Sequence, residues 1–164
     1  MPVGGETLIA GQYTVTYNSS SMGIMEGDAG VPTISQTSHE ENINNTDKYG
    51  KSSIDGVYQG GDFFCSFTCM EYKAATVAAW WPYGSIGAMG VIARLRYSLA
   101  SALVLTAVAG TPAESSPASV TCNKAILAGG FNTQLLFGPL LRKLPIRLQL
   151  YPHSNGGVVW FTTS

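Results

Sequence analysis

Alternation with a period of two sets the tightest limit on what this chain can fold into. From Asp62 to Met70, Phe63, Cys65, Phe67 and Cys69 fall on one side of an extended backbone and Phe64, Ser66, Thr68 and Met70 on the other. A helix of 3.6 residues per turn would scatter those four apolar residues around its circumference, whereas a strand collects them on one face. The same period recurs along the chain. Gln12–Tyr17 turns Tyr13, Val15 and Tyr17 to one face, and Ile146–Tyr151 alternates cleanly. Ala102–Val108 is apolar on both sides and fits a strand covered on two faces. Val120–Leu127 and Phe131–Phe137, separated by Gly129-Gly130, read as a hairpin. Val158–Thr163 returns after a turn at His153–Gly157, and Gly60-Gly61 offers a turn or bulge before Asp62.

One helix interrupts this pattern. Tyr72–Trp81 is rich in alanine and ends at Pro82 and Gly84, with Trp80 and Trp81 placed to plug the open side of a sheet. Strands joined by short turns leave no room for parallel crossovers. The expected fold is therefore mainly β: two packed antiparallel sheets or a partly open barrel, with one flanking helix. The 164 residues carry no composition break, so residues 1–164 are expected to form a single domain.

Between the early strands lies an expected long polar loop, Gln36–Gly56, in which Ile43, Tyr49 and Ile54 could dock on a partner. Its Gly50-Lys51-Ser52 has the look of a phosphate cradle, but the glycine needed five residues earlier is Asn45, and no apolar strand precedes it. Nucleotide binding is set aside on those grounds. Gly110–Pro117 is an ordinary exposed connection.

Charge is sparse and unevenly placed. Charged residues are 12% of the chain, about half of the roughly 25% usual for a soluble domain. Through Glu71, nine acids face only Lys48 and Lys51; from Tyr72 on, seven cations face only Glu114. The two signs can cancel within one fold, or the acidic surface of one copy can meet the basic surface of the next. The net charge of −1 fits the second, because identical copies then repel only weakly.

Catalytic and metal signatures are absent from the sequence. His39 and His153 are the only histidines, and no G-x-S-x-G elbow accompanies the many serines. Glu40-Glu41 with Asp47 and Asp55 lack the oxygen-ligand spacing of a calcium loop. Cys65, Cys69 and Cys122 have no metal spacing, and the first two, on one strand, lie about 13 Å apart, too far for a disulfide. They read as small buried hydrophobes in a reducing compartment. No enzyme activity and no cofactor are expected. Met1–Gly5 lacks a basic, apolar signal region and runs such as Ala102–Leu105 are too short for a bilayer, so a soluble chain with no membrane partner is expected. Arg142-Lys143 with Arg147 is the densest basic cluster, and three cations in a slightly acidic domain make no nucleic-acid footprint.

Two stretches carry a family likeness. Asp47–Gly61 (DKYGKSSIDGVYQGG), and Phe137–Pro152 (FGPLLRKLPIRLQLYP) with the closing Trp160-Phe161-Thr162-Thr163, resemble tail tube proteins of tailed bacteriophages. The likeness covers most of the chain from about Tyr13 onward and rests on structural residues alone. It implies two sheets packed nearly at right angles, six copies closed into a ring, and rings stacked head to tail into a hollow tube. Genomic DNA passes through such a tube without sequence-specific binding. One sheet of each copy joins a continuous inner β-barrel, and a long loop reaches a neighbouring ring. The implied location is the virion tail, assembled in host cytoplasm, with sheath, tape-measure and tail-terminator proteins as further partners.

Under that resemblance, Tyr49, Lys51 and Asp55 are expected contact residues between copies, and Gly50 and Gly56 backbone turns. The charge split extends the interface: Glu40, Glu41, Asp47 and Asp55 of one copy are expected to meet Arg142, Lys143 or Arg147 of an adjacent one. A head-completion or decoration virion protein has the same β content and forms a single ring or isolated copies. A carbohydrate-binding β-sandwich instead presents Trp80, Trp81, Tyr83 or Trp160 as an exposed platform.

Overall fold

A computed structural model describes residues 13–25, 30–44, 53–85, 87–90, 92–108, 117–132, 134, 143–153 and 159–164. The chain order is β1 (Tyr13–Tyr17), β2 (Ser20–Ser21), β3 (Thr33–Asn44), β4 (Ser53–Cys69), α1 (Ala74–Trp80), α2 (Arg96–Leu99), β5 (Ser101–Ala107), β6 (Ser119–Leu127), β7 (Leu144–Leu150) and β8 (Thr162–Thr163). Mainly β architecture is what the alternation predicts. The strands form one antiparallel sheet of eight, ordered β2-β1-β5-β6-β7-β4-β3 with β8 on β6. It does not close into a barrel.

A single sheet stands where two were expected, and β6 explains the difference. Its residues Ser119–Ala125 pair with β5, while Ala125–Leu127 pair with β7. Leu103 lies across from Cys122 and Ser101 from Ala125, so β6 spends one residue more than β5 over that interval. That bulge inverts the alternation. Cys122 is inward before it, and Ala125 and Leu127 after it. One strand thus belongs to two half-sheets, and both half-sheets feed one core.

That core is built from inward residues of five strands, β6 contributing Cys122, Ala125 and Leu127. Val15 and Tyr17, Leu103 and Leu105, Cys65, Phe67 and Cys69, and Leu144, Ile146, Leu148 and Leu150 join one buried cluster with Ala79 of α1. The Tyr17 hydroxyl donates to the Ala125 carbonyl at 3.0 Å, tying β1 to the bulged strand. Pro145 is tolerated in β7 because β6 pairs only with Leu148–Leu150, so there β7 has one neighbour.

The helix predicted over Tyr72–Trp81 forms at Ala74–Trp80. Thr76, fully buried, accepts from the Lys73 N–H at 2.9 Å, and its hydroxyl proton lies between the Lys73 and Glu71 carbonyls at 2.8 and 3.1 Å. A second helix, α2, was not expected. It lies against β6, where Ile126 is buried outside the main cluster, and Arg96 reaches from it to donate to the Leu127 carbonyl and to Gln149 Oε1 at 3.0 Å. The hairpin partner expected at Phe131–Phe137 is not a strand at Phe131, Asn132 or Gln134, and the rest lies outside the described residues. β6 pairs instead with β5, β7 and β8. The turn at His153 holds its ends together through a His153 N–H to Val159 carbonyl bond of 3.0 Å, yet its return strand, β8, pairs with β6.

Candidate functional site

The expected long loop Gln36–Gly56 is mostly strand. β3 and β4 pair from Thr33↔Ser66 out to Asn44↔Ser53, with register shifts after Ser38 and after Ile43, leaving only 45–52 at the tip outside the described residues. Polarity misled the sequence reading here. A two-stranded ribbon exposed on both faces has no inward side to fill with apolar residues, so its composition resembles that of a loop.

How far it projects follows from the neighbouring strand. β7 pairs with β4 only over Phe63–Cys69, and among the described residues Ser53–Asp62 have β3 as their sole sheet partner. Ten residues of strand rise about 33 Å. A bulge at Gln59-Gly60 breaks the register between Ser38↔Gly61 and Glu40↔Tyr58. Gly60 sits at φ 109, and a Cβ on Gly61 would stand 2.6 Å from the Thr37 carbonyl oxygen. Gly56, expected in a turn, lies inside β4 opposite Asn42.

The arm exposes Ile43, Val57 and Tyr58, the last at 64%. Beyond the bulge, Glu40 faces Tyr58 and Glu41 faces Val57, and Asp55 stands opposite Ile43. Glu41 accepts from Gln59 Nε2 at 2.7 Å, and Asp55 accepts from the Gly56 N–H at 2.8 Å. His39 Nε2 meets Asp62 at 2.8 Å nearer the body. The outer edge of β3, twelve residues long, has no strand partner among the described residues.

The basic candidates lie elsewhere. Arg147 is on β7 opposite Ser66, eleven residues along β4 from Asp55, with its guanidinium 4.2 Å over the Phe64 ring. A 290 Å³ hollow beside it is lined by Phe64, the Ala128–Asn132 turn and Arg147. Lys143 is exposed just before β7, while Asp47, Tyr49, Lys51 and Arg142 lie outside the described residues. Among the described residues Glu40, Glu41, Asp55, Arg94, Arg96, Lys124 and Arg147 have no oppositely charged group within ion-pair distance; the pairs formed are His39–Asp62 and Lys73–Glu71. The fold therefore brings Glu40, Glu41 and Asp55 together on the arm and keeps them apart from Arg147.

A third feature escaped the sequence reading. Residues 84–95 present Met89, Ile92 and Leu95 to solvent at 74, 74 and 78% exposure. In the sequence, Gly84–Leu95 contains only Ser85 and Arg94 as polar residues, a signal readable as an apolar segment with neither strand nor helix period. The loop is pinned: Trp81 Nε1 donates to the Ala88 carbonyl at 2.9 Å, and the Ala88 N–H donates to the Ser85 carbonyl at 3.0 Å. Gly90, at φ 76, packs so closely on Tyr83 that any Cβ there would overlap the Tyr83 carbonyl.

The aromatic residues of the sugar-platform alternative are engaged with the body. Trp80 and Trp160 pack on the core, Trp160 with its ring 4.8 Å from Phe63, and Trp81 meets Tyr83 edge-on at 5.2 Å. Among the described residues no cluster of three or more His, Cys, Asp or Glu could hold a metal ion, and no helix is long and apolar enough to cross a membrane. Neither a protein-family model nor a curated protein matches this chain.

Proposed function

We propose that the chain is the structural subunit of a phage tail tube, whose copies close into hexameric rings and stack into a hollow conduit for DNA. The β3–β4 arm carries this reading. An isolated two-stranded ribbon is marginally stable in water, and this one leaves the body with apolar and acidic residues uncovered on both faces. Burial against another copy resolves both problems. The open β3 edge adds a second reason, since an uncovered edge of that length invites pairing unless ring closure satisfies it.

Acids on the arm and Arg147 on β7, with Lys143 just before it, fit head-to-tail contact, in which opposite signs on different surfaces set register while apolar area supplies most of the affinity. Size-exclusion chromatography with negative-stain imaging tests the proposal. Stacked rings or tubes of uniform diameter are expected. A single ring points to the head-completion or decoration alternative, and a monomer at high concentration overturns self-assembly altogether.

A further inference from the structure

We infer that the exposed Met89, Ile92 and Leu95, between α1 and α2, form the seat on which the β3–β4 arm of a second copy docks. This assignment rests on the self-assembly reading above. Met89, Ile92 and Leu95 lie among the most exposed large hydrophobic residues described, and they are concentrated in one short segment. Apolar clustering of this kind marks a surface that is covered in use. The bonds from Trp81 to Ala88 and from Ala88 to Ser85, with Gly90 locked on Tyr83, hold the stretch around Met89 in place, and the Leu95 carbonyl accepts from the Ser98 N–H at 3.1 Å at the start of α2. Little ordering entropy is then lost on docking.

Charge and apolar pattern identify the occupant. Arg94 is the only charge in Gly84–Leu95, whereas Gln36–Asp62 carries five acids against two lysines. On the described part of the arm, Ile43 and Val57 share a face with Glu41 and Asp55, because Glu41 pairs with Val57 and Ile43 with Asp55. That face offers apolar contact and carboxylates together. The loop offers Ile92 and Leu95 on either side of Arg94, and Arg94 has no carboxylate among the described residues within ion-pair distance. Two surfaces of one chain thus complement each other without matching themselves, the condition for a heterologous contact that repeats from copy to copy.

Cysteine cross-linking tests the assignment. Val57→Cys and Ile92→Cys in one chain, oxidised under assembly conditions, should give a ladder of disulfide-linked oligomers, while each single variant stops at a dimer or forms no link. The three native cysteines are buried and should stay out of the ladder. Tubes without the ladder would overturn the seat and leave the tube reading intact. A wild-type chain that stays monomeric overturns both. Should the paired cysteines disturb folding, Arg94→Glu serves instead. It is expected to raise the critical concentration for assembly about tenfold, and Glu41→Lys with Asp55→Lys in the same chain should restore most of the loss. Unchanged assembly of Arg94→Glu, or absence of rescue, overturns the pairing. So does flotation with phosphatidylglycerol vesicles that Ile92→Asp abolishes while tubes still form, since the loop would then serve a lipid surface.

Discussion

At the scale of single residues, burial has chemical consequences that can be read by titration. Burial pushes the Cys65 and Cys69 thiols up to about 12, with the Cys122 thiol and the Glu71 carboxylate adding to the effect at Cys65 and Cys69 respectively. Cys122 and Tyr17 are raised for the same first reason. An unfolded chain loses its thiol protons near the ordinary value of about 8.5 while the folded chain keeps them, so the folded state binds more protons above that pH. Stability is thus fully present below about pH 8.5 and declines as pH rises towards 12, by up to about 1.4 kcal/mol per pH unit for each such thiol. Thermal unfolding followed from pH 8 to 11 should show this decline, and Cys65→Ala should make it shallower, Cys69 and Cys122 keeping the rest, while lowering the plateau. A profile unaffected by that substitution would mean the thiol is solvated. Thr76 supports a second expectation. Thr76→Val keeps the shape but leaves the Lys73 N–H without its acceptor at the start of α1, a loss of about 1–3 kcal/mol measurable by urea denaturation.

Elements show where sequence periodicity is informative and where it misleads. β1, β7 and the inner half of β4 were legible because each lines a core on one face, and burial on one face forces the period of two; β5, read as covered on two faces, buries only Leu103 and Leu105 and leaves Ala102 and Thr106 exposed. The arm was not legible. Ser35, Thr37 and Glu41 alternate with Gln36, Ser38 and Glu40, polar with polar, and a ribbon wet on both sides gives no contrast to read. β6 was found, but its neighbours were not, since the bulge after Cys122 hides the change of inward face from any fixed alternation. Helix α2 spans only four residues, Arg96–Leu99, below the length at which a helical period emerges. Of the expected contact residues, Glu40, Glu41 and Asp55 lie together on the arm, whereas the exposed Met89, Ile92 and Leu95 sit in a stretch with neither a strand nor a helix period to mark it. If the arm is an assembly device, deleting Asn42–Ser53 and joining the strands by a two-residue Asn-Gly turn should leave the circular dichroism spectrum and melting temperature close to wild type. Assembly should be lost. A melted spectrum would instead identify the ribbon as part of the scaffold.

For the whole molecule, the question is what separates attraction from affinity when the subunits carry a net charge of only −1. Exposed ion pairs contribute roughly 0.2–1 kcal/mol each and are screened, with a Debye length near 10 Å at 0.1 M salt and about 3 Å at 1 M. In the proposed assembly, apolar contact of Ile43 and Val57 with Met89, Ile92 and Leu95 is not screened in this way, and stronger exclusion of apolar surface offsets part of the electrostatic loss. The two contributions therefore divide between rate and extent. Steering by the acidic arm should govern how quickly copies meet, while apolar burial governs how firmly they stay. Raising salt from 0.1 to 1 M should slow elongation, followed by light scattering, about tenfold or more while shifting the critical concentration by only a few-fold. Reversing Arg142→Glu and Lys143→Glu should slow growth at low salt towards the high-salt rate of wild type and weaken its salt dependence, with Arg94 carrying what remains. Growth equally fast at both salt concentrations, in wild type and variant alike, would remove charge steering from the assembly and leave the apolar arm and its seat to set register alone.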